Sequence, residues 1–128
     1  MAYDNLSGEA TCPICGGTVE IVEQMHFAKG GPRRWFHVGD PVVISEWFVR
    51  DCMPAGPRPP SDVVRLCEHT VWHCGERLWL VVEVAAGCLA SLELVRPSVA
   101  VVDGLDLIER NMRATIWTER HPFIVSAV

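Results

Sequence analysis

The sequence predicts a mainly β domain of the α+β class, built on a small antiparallel sheet or a barrel-like closure of one, with a single short C-terminal helix. Three observations predict it. Through most of the chain apolar residues either alternate with polar ones or run in short unbroken blocks, the patterns of half-buried and fully buried strands. Glycine and proline punctuate these blocks, as turns do. One segment near the C-terminus reads as an amphipathic helix, with helical spacing and a polar opposite face.

The elements follow in order. Residues 1–11 are polar and contain glycine, and read as a tail leading into the first cysteines. Residues 18–24 (Thr-Val-Glu-Ile-Val-Glu-Gln) alternate and predict a strand. Residues 25–37 place aromatic flanks around Gly30-Gly31-Pro32, which predicts a β-hairpin with Phe27 opposite Phe36 and His26 opposite His37. Residues 42–49 form a second apolar run after Pro41, read as a strand, with a short helix as the alternative. Residues 54–61 carry four prolines and a glycine, so they are neither helix nor central strand, and read as a loop inside the domain.

Residues 63–73 fit helix or strand by spacing, and their valines favour strand. Residues 78–84 (Leu-Trp-Leu-Val-Val-Glu-Val) are the strongest strand signal, and residues 89–95 return antiparallel after Ala85-Ala86-Gly87. Residues 105–114 follow Asp103-Gly104 and space Leu105, Ile108 and Met112 as a short amphipathic helix would. Residues 123–128 are apolar enough for a last strand.

Composition bounds what such a domain does. A chain of 128 residues suits one domain with a real core, so a single domain over 1–128 is expected. With 49% hydrophobic and 21% charged residues it lies outside the polar, highly charged range of disordered chains. The net charge of −5 opposes a general attraction to nucleic acid, whose non-specific binding rests on neutralised phosphates. Met1-Ala2-Tyr3-Asp4-Asn5 does not open a positive segment followed by an apolar one, so the cytoplasm is the expected compartment. The most apolar stretch, residues 78–95, is broken by Glu83, Gly87 and Glu93, whereas a spanning helix needs about 20 mostly apolar residues. No membrane partner is expected.

Six cysteines without an export signal favour metal ligation and buried thiols over a disulfide framework. Thr11-Cys12-Pro13-Ile14-Cys15-Gly16-Gly17 carries the densest signal. Zinc takes four tetrahedral nitrogen or sulfur ligands, and a Cys-x-x-Cys turn lets two thiolates converge while the intervening amides point at the sulfurs. A redox dithiol would instead sit at a helix start, for which Gly16-Gly17 is poorly suited. The segment resembles the knuckle of zinc-ribbon and rubredoxin-like proteins, in which Cys-Pro-x-Cys-Gly opens a strand; the likeness covers about a tenth of the chain.

The resemblance implies a second knuckle with the other two ligands. Cys74-Gly75 precedes residues 78–84 much as Cys15-Gly16 precedes residues 18–24, which makes Cys74 the candidate third ligand, with a lone buried thiol as the alternative. The family's second Cys-x-x-Cys is absent, because Val71 stands three before Cys74. Cys67 and His69 rank equally for the fourth place and His73 after them; in a regular strand Cys67, His69 and His73 would share one face, with Cys74 on the other unless the turn reverses it. Cys52 and Cys88 read as core thiols.

Other patches are weaker. His26 and His37, if opposite, could chelate a metal or share a proton, but two sheet histidines are the plainer reading. Lys29, Arg33 and Arg34 with Trp35 form one basic, aromatic patch that could meet nucleic acid or a partner, or simply cap a solvated hairpin. Five tryptophans are many for this length, and those left at the surface would mark an interface. Phosphate-loop, nucleophile-elbow, His-Glu-x-x-His and zinc-deaminase motifs are missing. The expectation is a non-enzymatic, zinc-stabilised module that binds a protein partner, with a nucleic-acid-binding ribbon and a small enzyme with catalytic zinc as alternatives.

Overall fold

The computed structural model describes residues 4–29, 35–46, 48 and 63–108. They form two small sheets and one short helix, so the chain is a small β-rich domain, and the sheets do not close into a barrel. The first sheet has β1 (Asp4–Thr11), β2 (Thr18–Met25) and β3 (Trp35–Phe36) in the order β2-β1-β3. The second has β4 (Val63–His73), β5 (Glu76–Ala85), β6 (Cys88–Val95) and β7 (Leu107–Ile108) in the order β6-β5-β4-β7. Helix α1 (Val99–Asp103) precedes β7.

The inward faces of the two sheets share one core. Leu6, Ala10, Val19, Ile21 and Met25 from the first meet Val64, Leu66, Leu78, Leu80, Val82, Val84, Leu89 and Leu94 from the second, with Phe27, Phe36 and Phe48 filling between them. A second cluster lies on the other face of the four-stranded sheet, where Cys67, Trp79 and Val81 are covered by Leu105, Ile108, Val101 and Val102. Strand β5 is thus buried on both faces, which is why residues 78–84 read as a nearly continuous apolar block.

Several expectations are corrected. Residues 4–11 are not part of a tail but the central strand of the first sheet, paired with β2 from Asp4↔Met25 to Thr11↔Thr18. Its apolar signal is faint because Gly8 occupies an inward position that a larger residue could not: a Cβ there would meet Leu92 Cδ1 at 2.8 Å. The 25–37 hairpin is not formed as paired in sequence. Trp35 and Phe36 run parallel to Asn5 and Leu6. Residues 27–29 pair instead with 43–45, through Ser45 N–H to the Phe27 carbonyl (2.7 Å) and Lys29 N–H to the Val43 carbonyl (2.6 Å). Phe27 and Phe36 both reach the core, but through different partners, and residues 30–34 lie outside the described residues.

Pro41 bridges Cys88 and Ile44 bridges Ala28, while Glu46 and Phe48 are helical, so the described residues of this run show features of both alternatives. The helix stands earlier than its sequence signal. Ser98 caps it by accepting from Val101 N–H (3.2 Å), and Gly104 ends it. Leu107 and Ile108 lie instead in β7, parallel to Leu66 and Cys67, where both are fully buried. Strand pairing held by Asp106, whose amide and carboxylate both bond the backbone of Arg65 (2.8 and 2.9 Å), overrides the helical spacing. The Pro-rich residues 54–61 and the C-terminal residues 109–128 lie outside the described residues. Among those described, no helix is long and apolar enough to cross a membrane.

Candidate metal centre

Cys12 and Cys15 sit in the turn that joins β1 to β2. Cys12 N–H donates to the Gly17 carbonyl (2.8 Å) and Gly16 N–H to the Cys12 carbonyl (2.9 Å), which folds the segment back on itself; Gly16 takes the positive φ of 74° that this requires. The amides then turn towards sulfur: Ile14 N–H lies 3.3 Å from Cys12 Sγ and Gly17 N–H 3.4 Å from Cys15 Sγ. These contacts stabilise thiolates.

The other half comes from the β4–β5 hairpin, whose two-residue turn is Cys74-Gly75 with φ of 52° and 73°. Both values are positive, as a tight twisted hairpin demands. The β5–β6 turn, Ala86-Gly87, has the same pattern (52° and 74°), so the positive φ belongs to the hairpin, and what sets Cys74 apart is its thiol.

A β-bulge decides which side chains join it. Cys67 pairs with Val81 and His69 with Leu80, leaving Glu68 as the extra residue. A bulge shifts the parity of everything beyond it. Val64 and Leu66 face the inter-sheet core before it; His69, Val71 and His73 lie opposite Leu80, Leu78 and Glu76 on that same face after it. Cys67 is turned to the far side, under Ile108 and Leu105. His73 therefore points where Cys12 is.

The result is a four-residue cluster, Cys12, Cys15, His73 and Cys74, with one ligand atom from each lying within 4.8 Å of all the others. Cys12 Sγ and Cys74 Sγ are 3.8 Å apart, and a tetrahedron with metal–sulfur bonds of about 2.3 Å has edges of about 3.8 Å. The Nδ1 of His73 is buried without a hydrogen-bond partner among the described residues. Burial disfavours the Cys12 thiolate, but the Cys15 and Ile14 amides, His73 and the Cys15 thiol outweigh it and lower its pKa to about 6. Cys74 is pushed up to about 11 by hydrogen bonds from its thiol to Cys15, by burial, and by contact with Cys12 and the charge of both neighbours. The Cys12 thiolate thus disfavours a second charge at Cys74, a conflict that a bound cation relieves. The donor set and spacing fit a metal ion.

Cys67 and His69 stand elsewhere. Cys67 is fully buried, and its thiol reaches the His69 carbonyl at 3.6 Å, across the bulge. His69 joins His26 and Glu68 in a second convergence of potential ligands. Burial opposes the His69 imidazolium, but the Glu68 hydrogen bond and charge, the Gln24 carbonyl and Glu23 prevail and raise its pKa. His26 meets Glu68 rather than His37, whose N–H donates to Asp40 (2.8 Å). Of the basic patch, Trp35 is exposed and Lys29 lies at the end of the 27–29 pairing, while Arg33 and Arg34 are outside the described residues, as is Cys52. Cys88 is half-buried at the start of β6.

What sequence reasoning missed is the bulge: a regular strand puts Cys67 on one face with His69 and His73, whereas the extra residue Glu68 turns Cys67 away from them. The available signal was Glu68 itself, a charged residue amid the apolar run of β4. Comparison with protein-family models, with curated proteins and with solved structures gives no match.

Proposed function

We propose that the chain is a non-enzymatic, zinc-stabilised module that binds a protein partner, with zinc held by Cys12, Cys15, His73 and Cys74. The observation that carries it is the convergence of three thiols and one imidazole from two separate hairpins, their ligand atoms within 4.8 Å of one another and two of the sulfurs 3.8 Å apart. Three sulfurs and a nitrogen are the donors of structural zinc sites, and four protein donors leave no position for a reacting water. Zinc here joins the β1–β2 turn to the β4–β5 turn, and its binding energy becomes folding energy.

Partner binding is supported by what surrounds the centre. Ile14, in the first turn, is exposed, and Trp72, next to His73, is 65% exposed with the Arg77 guanidinium 5.5 Å from its ring. Tryptophan and arginine are the residue types that dominate interface energetics. Elemental analysis tests the metal: a Cys12→Ser variant carries one zinc per chain fewer than wild type, and equal zinc content overturns the reading. Quantitative interaction profiling of wild type and Trp72→Ala tests the surface. The variant loses wild-type interactors while keeping its zinc, and an unchanged set removes this surface from the proposal.

A further inference from the structure

We infer that His26, Glu68 and His69 form a second metal site, of nitrogen and oxygen donors, for a first-row divalent cation of the zinc class. It lies apart from the thiolate centre. His69 and His73 share a face of β4 four residues apart, about 13 Å at strand rise.

Each residue offers one ligand atom, and the three lie within 4.8 Å of one another. Glu68 Oε1 stands 3.4 Å from His26 Nδ1 and 3.0 Å from His69 Nε2. Ligands at about 2.1 Å from a tetrahedral ion are about 3.4 Å apart, so small side-chain adjustments suffice. Without sulfur, the set suits zinc and the borderline metals that imidazole and carboxylate share.

The surroundings are those of a built site. Glu68 is the bulge residue, its side chain only 3% exposed, and both its oxygens accept from the His26 backbone N–H (2.8 and 3.0 Å), which fixes the carboxylate. The far nitrogen of His69, Nδ1, lies 3.9 Å from Glu23 Oε2. Metal-bound histidines commonly have such a carboxylate behind them, which orients the ring and strengthens the ligand. The Gln24 carbonyl contacts His69 Nε2 and accepts a hydrogen bond from it when that nitrogen carries a proton. Binding replaces that proton with the ion and leaves the Nδ1 proton towards Glu23. Two carboxylates beside two imidazoles give a negative site for a dication. The His26 side chain is 36% exposed, so the ion has access from solvent and keeps a position for water.

Cobalt titration of the reduced, metal-free full chain tests this. Wild type takes up two equivalents, one with intense thiolate-to-cobalt charge-transfer absorption and one with weak ligand-field bands alone. His26→Ala retains the first and binds the second about 100-fold more weakly or not at all; its backbone amide still serves Glu68, and an unchanged far-ultraviolet dichroism spectrum verifies the fold. Cys12→Ser retains the weak-band equivalent, so the two sites fail separately. Uptake of a single, thiolate-bound equivalent by wild type, or two undiminished equivalents by folded His26→Ala, overturns the second site.

Discussion

Replacing His73 by alanine separates the metal from the fold. In the metal-free protein the imidazole is half-buried at the end of β4 with Nδ1 lacking a hydrogen-bond partner among the described residues, so removing it costs its interaction with the Cys12 thiol but no buried hydrogen bond at Nδ1. The expected apo penalty is within about 1 kcal/mol, the central value for single substitutions. With zinc the effect is large. Loss of a direct ligand weakens affinity by at least the roughly 100-fold that indirect partners of a metal site cost. At free zinc buffered to about 1,000 times the wild-type Kd, wild type gains about 4.1 kcal/mol, whereas the variant, at about 10 times its own Kd, gains about 1.4 kcal/mol. At about 4 °C per kcal/mol for a chain of this length, the zinc-induced rise in Tm falls from about 16 °C to about 6 °C. Scanning calorimetry in buffered zinc and in chelator gives both numbers. Equal zinc-induced shifts in the two proteins refute the assignment of His73.

Three further outcomes follow from the same geometry. Gly8→Val drives a side chain into Leu92 and lowers stability by about 1–3 kcal/mol in chemical denaturation, and Leu92→Ala in the same chain recovers part of the loss; no recovery removes the close approach of β1 to β6. Cys67→Ala destabilises by about 1 kcal/mol through lost packing but leaves metal stoichiometry unchanged, as elemental analysis would show, because the bulge turns Cys67 away from the centre. Zinc affinity rises with pH: Cys74, pushed up to about 11, carries a proton at neutral pH that the metal displaces, so Kd measured by competition falls by at least about tenfold per pH unit between pH 6 and 8, and a flat profile contradicts thiolate ligation.

How much was legible follows from the range of each signal. Cys12 and Cys15 share one turn, and their amide–sulfur contacts span two residues, so the local motif sufficed. Residues 78–84 were legible because both faces of β5 are buried. Strand β1 was not, because its inward face carries Gly8 and Ala10 where larger residues would have shown the alternation, and its place is set by partners on β2, β3 and β6. The metal partners were half legible. Cys74 repeats the Cys-Gly pattern before a strand, but choosing among Cys67, His69 and His73 depends on a parity that one bulge residue inverts, and no periodicity marks Glu68 as that residue. Residues 105–108 show the remaining failure: spacing compatible with a helix loses to pairing with Leu66 and Cys67, residues some forty positions away.

The most direct test is zinc X-ray absorption on protein loaded with one equivalent. The account predicts a first shell of three sulfurs at about 2.3 Å and one nitrogen at about 2.0 Å. A first shell of nitrogen and oxygen alone, or of two sulfurs with water, would contradict it.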